Sequence, residues 1–225
     1  LAYDIIVISY DEPTADRTWN YIKTLHPFAK RVHGVKGIAN AHREAARISN
    51  TKMLYVVDGD AEPLQSFDFK FVPPTWDQHY VHIWKSRNPA NGLEYGYGGI
   101  KLFPKKVFRN TTTSVDFSTS IGQVKYVDEV GCITHFNSDE FGAWRGAFRE
   151  CAKLAAAIHT NSHDEHAVDR LNTWLGTDYS DVPFGEYVKD GAARGGGFGI
   201  TSSEKLSMVN DFDWLRTRFD SIHGC

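Results

Sequence analysis

Two segments of this chain have no polar side to turn toward water. Tyr3-Asp-Ile-Ile-Val-Ile-Ser9 and Lys52-Met-Leu-Tyr-Val-Val57 are near-continuous apolar runs rich in β-branched residues. That is the pattern of strands covered on both faces, as in a parallel sheet packed between helices. Each run opens into a polar turn, Tyr10-Asp-Glu-Pro13 after the first and Asp58-Gly-Asp60 after the second. Between them, Thr14 or Asp16 can cap a helix reaching about Leu25, on which Trp19, Ile22 and Leu25 share a face and which Pro27 helps to stop. A short strand over 30–35 follows, and Gly37 leads into an alanine-rich helix over 39–49. The order strand, helix, strand, helix, strand predicts an α/β fold.

The second half is richer in strands and mixed in direction. Residues 67–72 and 80–85 read as strands, then comes a glycine-punctuated segment over 92–103 and a strand over 124–136. Phe141, Trp144, Phe148, Cys151, Ala152 and Ala155 form one apolar helical stripe. It follows Asn137-Ser-Asp-Glu140, a capping-box pattern. Another helix is expected over 163–175, and the remainder, with Gly195-Gly-Gly197, reads as a mobile loop and a short helical tail. The chain has 225 residues, 41% of them hydrophobic, enough for one sizeable core and short for two complete domains. A single domain over 1–225 is expected, with 1–66 as one half and 67–225, carrying the C-terminal helices and loop, as the other.

The longest apolar runs fall far short of the roughly 20 residues that cross a bilayer. The sequence opens without a basic-then-apolar leader. Cys132, Cys151 and Cys225 are far apart and lack C-x-x-C spacing, so a reducing cytoplasm is the expected setting. The formal charge of −3 leaves no global footprint for nucleic acid. Residues 85–109 differ from that average, with Lys85, Arg87, Lys101, Lys105, Lys106 and Arg109 against Glu94 alone. A solvated face explains the same charges.

In an open α/β sheet, ligands bind beyond the carboxyl ends of the strands. Asp58 and Asp60 stand one residue apart at such an end, with Gly59 leaving no side chain between them. Two carboxylates there suit a hard divalent cation, Mn²⁺ or Mg²⁺, bridging to phosphate oxygens. A metal so placed would stabilise a departing diphosphate. A plain turn with exposed acids is the competing reading, since Asp and Gly favour turns on steric grounds.

These residues carry a resemblance. Tyr3 to Pro13, Gly37 to Ala46 and Val56-Val-Asp-Gly-Asp-Ala61 resemble the donor half of family 2-type GT-A glycosyltransferases. Three later segments, 87–104, 144–154 and Pro183-Phe-Gly-Glu-Tyr187, are similar to parts of small glycosyltransferase-like proteins of tailed bacteriophages. The resemblance implies a Rossmann-like GT-A fold, a mixed central sheet flanked by helices, acting on a nucleotide-diphosphate sugar, with UDP the expected nucleotide. It implies that 1–66 is the donor half and 67–225 the acceptor half. Ser9, Tyr10 and Asp11 would line the base and ribose pocket, Arg43 would approach the nucleotide, and Asp58 and Asp60 would hold ribose and metal. A later histidine, His135, His159, His163 or His166, would join the metal. If the chain is phage-encoded, the host cytoplasm is its setting. Together with the basic stretch, the resemblance suggests a hydroxymethylated pyrimidine in DNA as acceptor; a glycan, a protein or a small-molecule hydroxyl are others.

An inverting transferase needs a carboxylate base, and the resembling families often place it at the start of a helix bordering the site. Asp139 and Glu140 fit that place, although acids at a helix start also complement its dipole. Tyr95, Tyr97, Gly98 and Gly99 can form an acceptor platform or simply a glycine-rich hairpin. Arg145, beside the apolar stripe, is expected on a phosphate, whereas Trp144 belongs to the core. Residues 191–197 can form a lid that brings Arg194 to the diphosphate, or a flexible connector. A nucleotidyltransferase would use similar carboxylate chemistry but lacks its glycine-rich phosphate loop here. A dehalogenase-type phosphatase would place its acidic motif after the first strand. A non-catalytic sugar- or nucleic-acid-binding domain is the reading from a different class.

Overall fold

The computed structural model describes residues 2–96, 98–110, 122–160 and 166–224, with residues 109 and 110 described in backbone only. They form two compact units, Leu1–Pro89 with Glu94–His135, and Ala90–Leu93 with Phe136–Cys225.

The first unit is a mixed eight-stranded sheet. Its strands are β1 (Asp4–Ser9), β2 (Lys30–His33), β3 (Met53–Asp58), β4 (Ala61–Pro63), β5 (Val81–Arg87), β6 (Glu94–Tyr95), β7 (Ile100–Pro104) and β8 (Val124–Thr134). They run in the order β2-β1-β3-β7-β5-β8-β4, with β6 paired to β5. β1 is parallel to β2 and β3, whereas β7 runs antiparallel to both β3 and β5. The helices α1 (Ala15–Leu25) and α2 (Ile38–Ile48) connect the parallel strands. This is the α/β class, with a Rossmann-like parallel half continued by antiparallel strands into a mixed, helix-flanked sheet.

The apolar runs explain why the sheet is covered on both sides. Side chains alternate along a strand. Ile5 and Val7 therefore join Tyr55, Val57 and Ile22 of α1 in one core, while Ile6, Leu54 and Val56 meet Ala41 and Ala45 of α2 in the other. Small alanines let α2 lie close against its face.

Residues 67–72 do not form the expected strand. Phe67 donates its N–H to Leu64 in a turn, and Phe69 adopts a left-handed backbone, φ 55°. The alternating phenylalanines instead lay their rings over the sheet. Phe67 and Phe71 lie 5.3 and 5.5 Å from Trp84, Phe69 lies 5.3 Å from Tyr55, and the Tyr55 hydroxyl donates to the Phe71 carbonyl. Aromatic periodicity resembled a strand because burial on one side leaves the same pattern.

The second unit is helical: α3 (Glu140–His159), α4 (Ala167–Gly176), α5 (Gly185–Thr201) and α6 (Phe212–His223). Two expectations change. The capping residue of α3 is Asp139, whose Oδ1 accepts from Gly142 N at 2.5 Å. The helix therefore begins later than the capping box had it, and Glu140 opens it instead of reaching back from its third position. The loop expected around Gly195 is part of α5. Gly191, Gly195 and Gly199, spaced four apart, face the carbonyls of Trp144, Phe148 and Ala152 on α3. A Cβ at these positions would sit 2.3, 2.2 and 2.3 Å from those oxygens. The glycines are there because the two helix backbones touch. Trp144 is fully buried, as expected, and its indole donates to Asp190. Among the described residues no helix is long and apolar enough to cross a membrane.

Candidate functional site

The carboxyl ends of β1, β2 and β3 share one edge of the first unit, and the acidic turn sits on it. Asp58 is the last residue of β3, and Asp60 follows in the turn before β4. Gly59 packs so tightly that a Cβ there would lie 2.8 Å from both Ser9 Cβ and Glu12 Oε2. Thr14 donates its hydroxyl to the Gly59 carbonyl, and Glu12 accepts from Tyr10 N at 2.7 Å. The loop after β1 and the Asp-Gly-Asp turn are thus built against each other.

Lys101 is the residue that changes the character of the site. It lies in β7 opposite Val56, its side chain is 8% exposed, and its Nζ stands 3.3 Å from Asp58 Oδ2. It reaches there across Gly98, whose φ of +80° and missing side chain clear the path, since a Cβ would lie 2.3 Å from Lys101 Cε. Gly99 accepts from Asp58 N, and a Cβ on it would crowd Cys132 and Ala61. Gly98 and Gly99, expected as an acceptor platform, thus serve the carboxylate–lysine pair. Burial pushes the Asp58 carboxyl above the ordinary carboxylate range, and Lys101 opposes that shift. Burial likewise pushes the Cys132 thiol up to about 12, with Asp58 and Asp60 contributing to the rise.

The neighbouring edge is polar and engaged. Ser9 is buried, accepts from Arg31 Nε at 2.9 Å and shares a hydrogen bond with His33 Nδ1 at 3.0 Å. It therefore lies beneath the edge and orients Arg31 and His33 instead of lining a pocket itself. Tyr10 and Asp11 are exposed on the loop above it. On the other side of the turn, Glu62 accepts from Arg17 at 3.0 Å and pairs with His135 Nε2 at 2.9 Å. Residue His135 also donates its backbone N–H to the Asp60 carbonyl.

The other expected residues are divided between the two units. Arg43 is bonded to Asn40 on α2 and lines a cleft with Lys52, Met53 and Pro104, at the amino end of β3 and so at the opposite sheet edge from Asp58. Asp139, Glu140, Arg145 and Arg194 belong to the second unit. There Asp139 is occupied in capping α3, and Arg145 stacks on Phe212, its guanidinium carbon 4.4 Å from the ring centre. Arg194 is held by both oxygens of Asp190 at 2.8 Å on a helix instead of a lid. His159 ends α3 and His166 precedes α4, both in the second unit, while Tyr97 and His163 lie outside the described residues. Tyr95 pairs with Ser86 in the small β5–β6 ladder.

Asp58 and Asp60 with phosphate oxygens and water would make the oxygen donor set that Mg²⁺ or Mn²⁺ prefers. Among the described residues no three His, Cys, Asp or Glu side chains gather as a metal-ligating group. The turn offers two carboxylates, Asp58 and Asp60, and Lys101 stands 3.3 Å from one oxygen of Asp58.

No family model and no curated protein matches this chain. Three solved structures are similar in arrangement. One is a glycosyltransferase involved in the glycosylation of the major capsid of PBCV-1, 11% identical over 60% of this chain and 94% of that chain, with a TM-score of 0.37. HddC from Yersinia pseudotuberculosis is 11% identical over 57% of this chain and 91% of that one, with a TM-score of 0.37. The bifunctional IspDF from Campylobacter jejuni is 12% identical over 56% of this chain and 49% of that one, also at 0.37. At these values no residue role is carried from any of them.

Proposed function

We propose that this chain is a glycosyltransferase that moves a sugar from a nucleotide-diphosphate sugar, UDP-linked, to an acceptor hydroxyl. The observation that carries the reading is the pair at the carboxyl edge of the sheet, Asp58 with the buried Lys101, beside Asp60. A diphosphate arriving there meets an ammonium group already desolvated and fixed, which stabilises charge on a leaving phosphate more than a solvated lysine would. Asp58 keeps that ammonium in place. Asp58 and Asp60 would hold Mn²⁺ or Mg²⁺, which when bound neutralises phosphate charge as a Lewis acid. The loop at Tyr10 and Asp11 borders the same edge and would contact the base or ribose.

A buried lysine beside a carboxylate also suits nucleotidyl transfer, in which pyrophosphate leaves. The test therefore scores both nucleoside diphosphate and pyrophosphate released from a panel of nucleotide sugars and nucleoside triphosphates. It is run with Mn²⁺, Mg²⁺ or chelator, and with hydroxymethylated DNA among the acceptors. Nucleoside diphosphate release that falls about 100-fold in Lys101→Met, the size expected for one preorganised charge donor, and is also lost in Asp60→Ala, supports the proposal. Stimulation by the modified DNA would name the acceptor. Undiminished turnover in both variants, or pyrophosphate as the product, would overturn the reading.

A further inference from the structure

A concavity lies in the first unit, at the amino end of β3. It has a volume of about 710 Å³ and lies where Met53 pairs with Pro104. Val57 and Ile100, beside the acidic turn, pair four residues further along the same two strands, which at about 3.3 Å per residue puts roughly 13 Å or more between the two places. The cleft is therefore no part of the Asp58 edge.

Five cations line it, Arg43 and Arg47 from successive turns of α2, Lys52 from the entry to β3, and Lys105 and Lys106 from the exit of β7, and among the described residues no acidic side chain does. This concentration stands out in a chain whose formal charge is −3. Arg47 is neutralised by Glu44, and Lys105 donates to the Ser49 carbonyl. Arg43 is held by the neutral amide of Asn40. Lys52 and Lys106 are exposed, and among the described residues neither has an ion-pair partner. The cleft's floor is apolar, made by Met53, Pro104 and Phe108. Like charges this close repel one another, and an anion relieves the repulsion. The volume falls within the usual range for small-molecule sites.

We infer that this cleft is a binding site for a free phosphorylated compound of nucleotide size, its ring on the Met53–Phe108 floor and its phosphates between Lys52, Lys106 and Arg43. Arg47 would be drawn on only if it left Glu44. The same chemistry is found in a nucleic-acid strand, but the apolar floor of Met53, Pro104 and Phe108 favours a free ligand whose ring can rest on it over a backbone that lies along a surface.

The inference does not depend on the transferase reading, and the experiment keeps them apart. Calorimetric titrations with ATP, inorganic tripolyphosphate and a single-stranded DNA 12-mer are run on the Asp60→Ala protein, so that the acidic turn contributes least. They are repeated with Lys52→Glu and Lys106→Glu added, both at exposed positions where folding is not at stake. The expected result is ATP binding tighter than tripolyphosphate binding, weakened about tenfold or more by the two charge reversals and weakened again by salt. Binding of the DNA alone would assign the cleft to a polynucleotide and overturn the inference. So would equal binding of ATP and tripolyphosphate, ATP binding indifferent to the two reversals, or no binding at all.

Discussion

Two glycines in one helix should respond to alanine with opposite signs. In α5, a Cβ on Gly195 would lie 2.2 Å from the Phe148 carbonyl oxygen, whereas Gly197 has nothing within 4 Å of the same position. An ordinary carbon–oxygen contact is about 3.2 Å or more, so Gly195→Ala forces α5 and α3 apart by roughly 1 Å along their contact. Overpacking of this kind costs about 1–3 kcal/mol. Alanine also returns about 1 kcal/mol of helix propensity at either site, leaving Gly195→Ala net destabilising by up to about 2 kcal/mol and Gly197→Ala stabilising by about 1. With a urea slope of about 2 kcal/mol per M, the two midpoints should differ by about 0.5–1.5 M. Tryptophan fluorescence can follow the transition, because Trp144, Trp174 and Trp214 all lie in this unit. Equal shifts, or a stabilised Gly195→Ala, would refute the backbone contact and restore the view of this segment as a mobile lid.

Two further outcomes follow from buried titratable groups. His42 is 1% exposed, and burial, aided by Lys101, lowers its pKa from 6.5 to about 3. The unfolded chain therefore takes up this proton before the folded one does, so the stability is full above pH 6.5 and is lost as pH falls toward 3. At pH 5 the loss is about 2 kcal/mol, and His42→Gln, which does not titrate, should flatten that part of a stability-versus-pH curve; an unchanged slope would contradict the assignment. Cys132 and Cys151 are both buried with thiols pushed up by that burial. Peptide mapping after treatment with a thiol reagent at pH 8 should find both unmodified in the folded protein and both modified in urea, and rapid modification of Cys132 in the native state would contradict its burial behind the acidic turn.

The parallel half was readable because burial on both faces leaves a strand no freedom of composition. Residues 3–9 and 52–57 could be little else, and the position of Asp58 and Asp60 at a carboxyl end followed from them. Phe67, Phe69 and Phe71 misled because a one-sided aromatic cover has the period of a strand, and Gly195-Gly-Gly197 misled because glycine signals either a free backbone or a close one. The two meanings separate once the spacing of Gly191, Gly195 and Gly199 is read as a helix face. Lys101 shows the harder limit. In sequence it is one cation among six, and nothing in its immediate type sets it apart from Lys105 or Lys106. Its meaning comes from β7 lying antiparallel beside β3, which turns the Lys101 side chain toward Asp58, and from Gly98, whose φ of +80° opens the path. Non-local pairing of this kind carries no local signature, yet it decides the chemistry. Once the lysine is fixed against the carboxylate, the acidic turn is more than a pair of acids: it carries a buried positive charge beside Asp58.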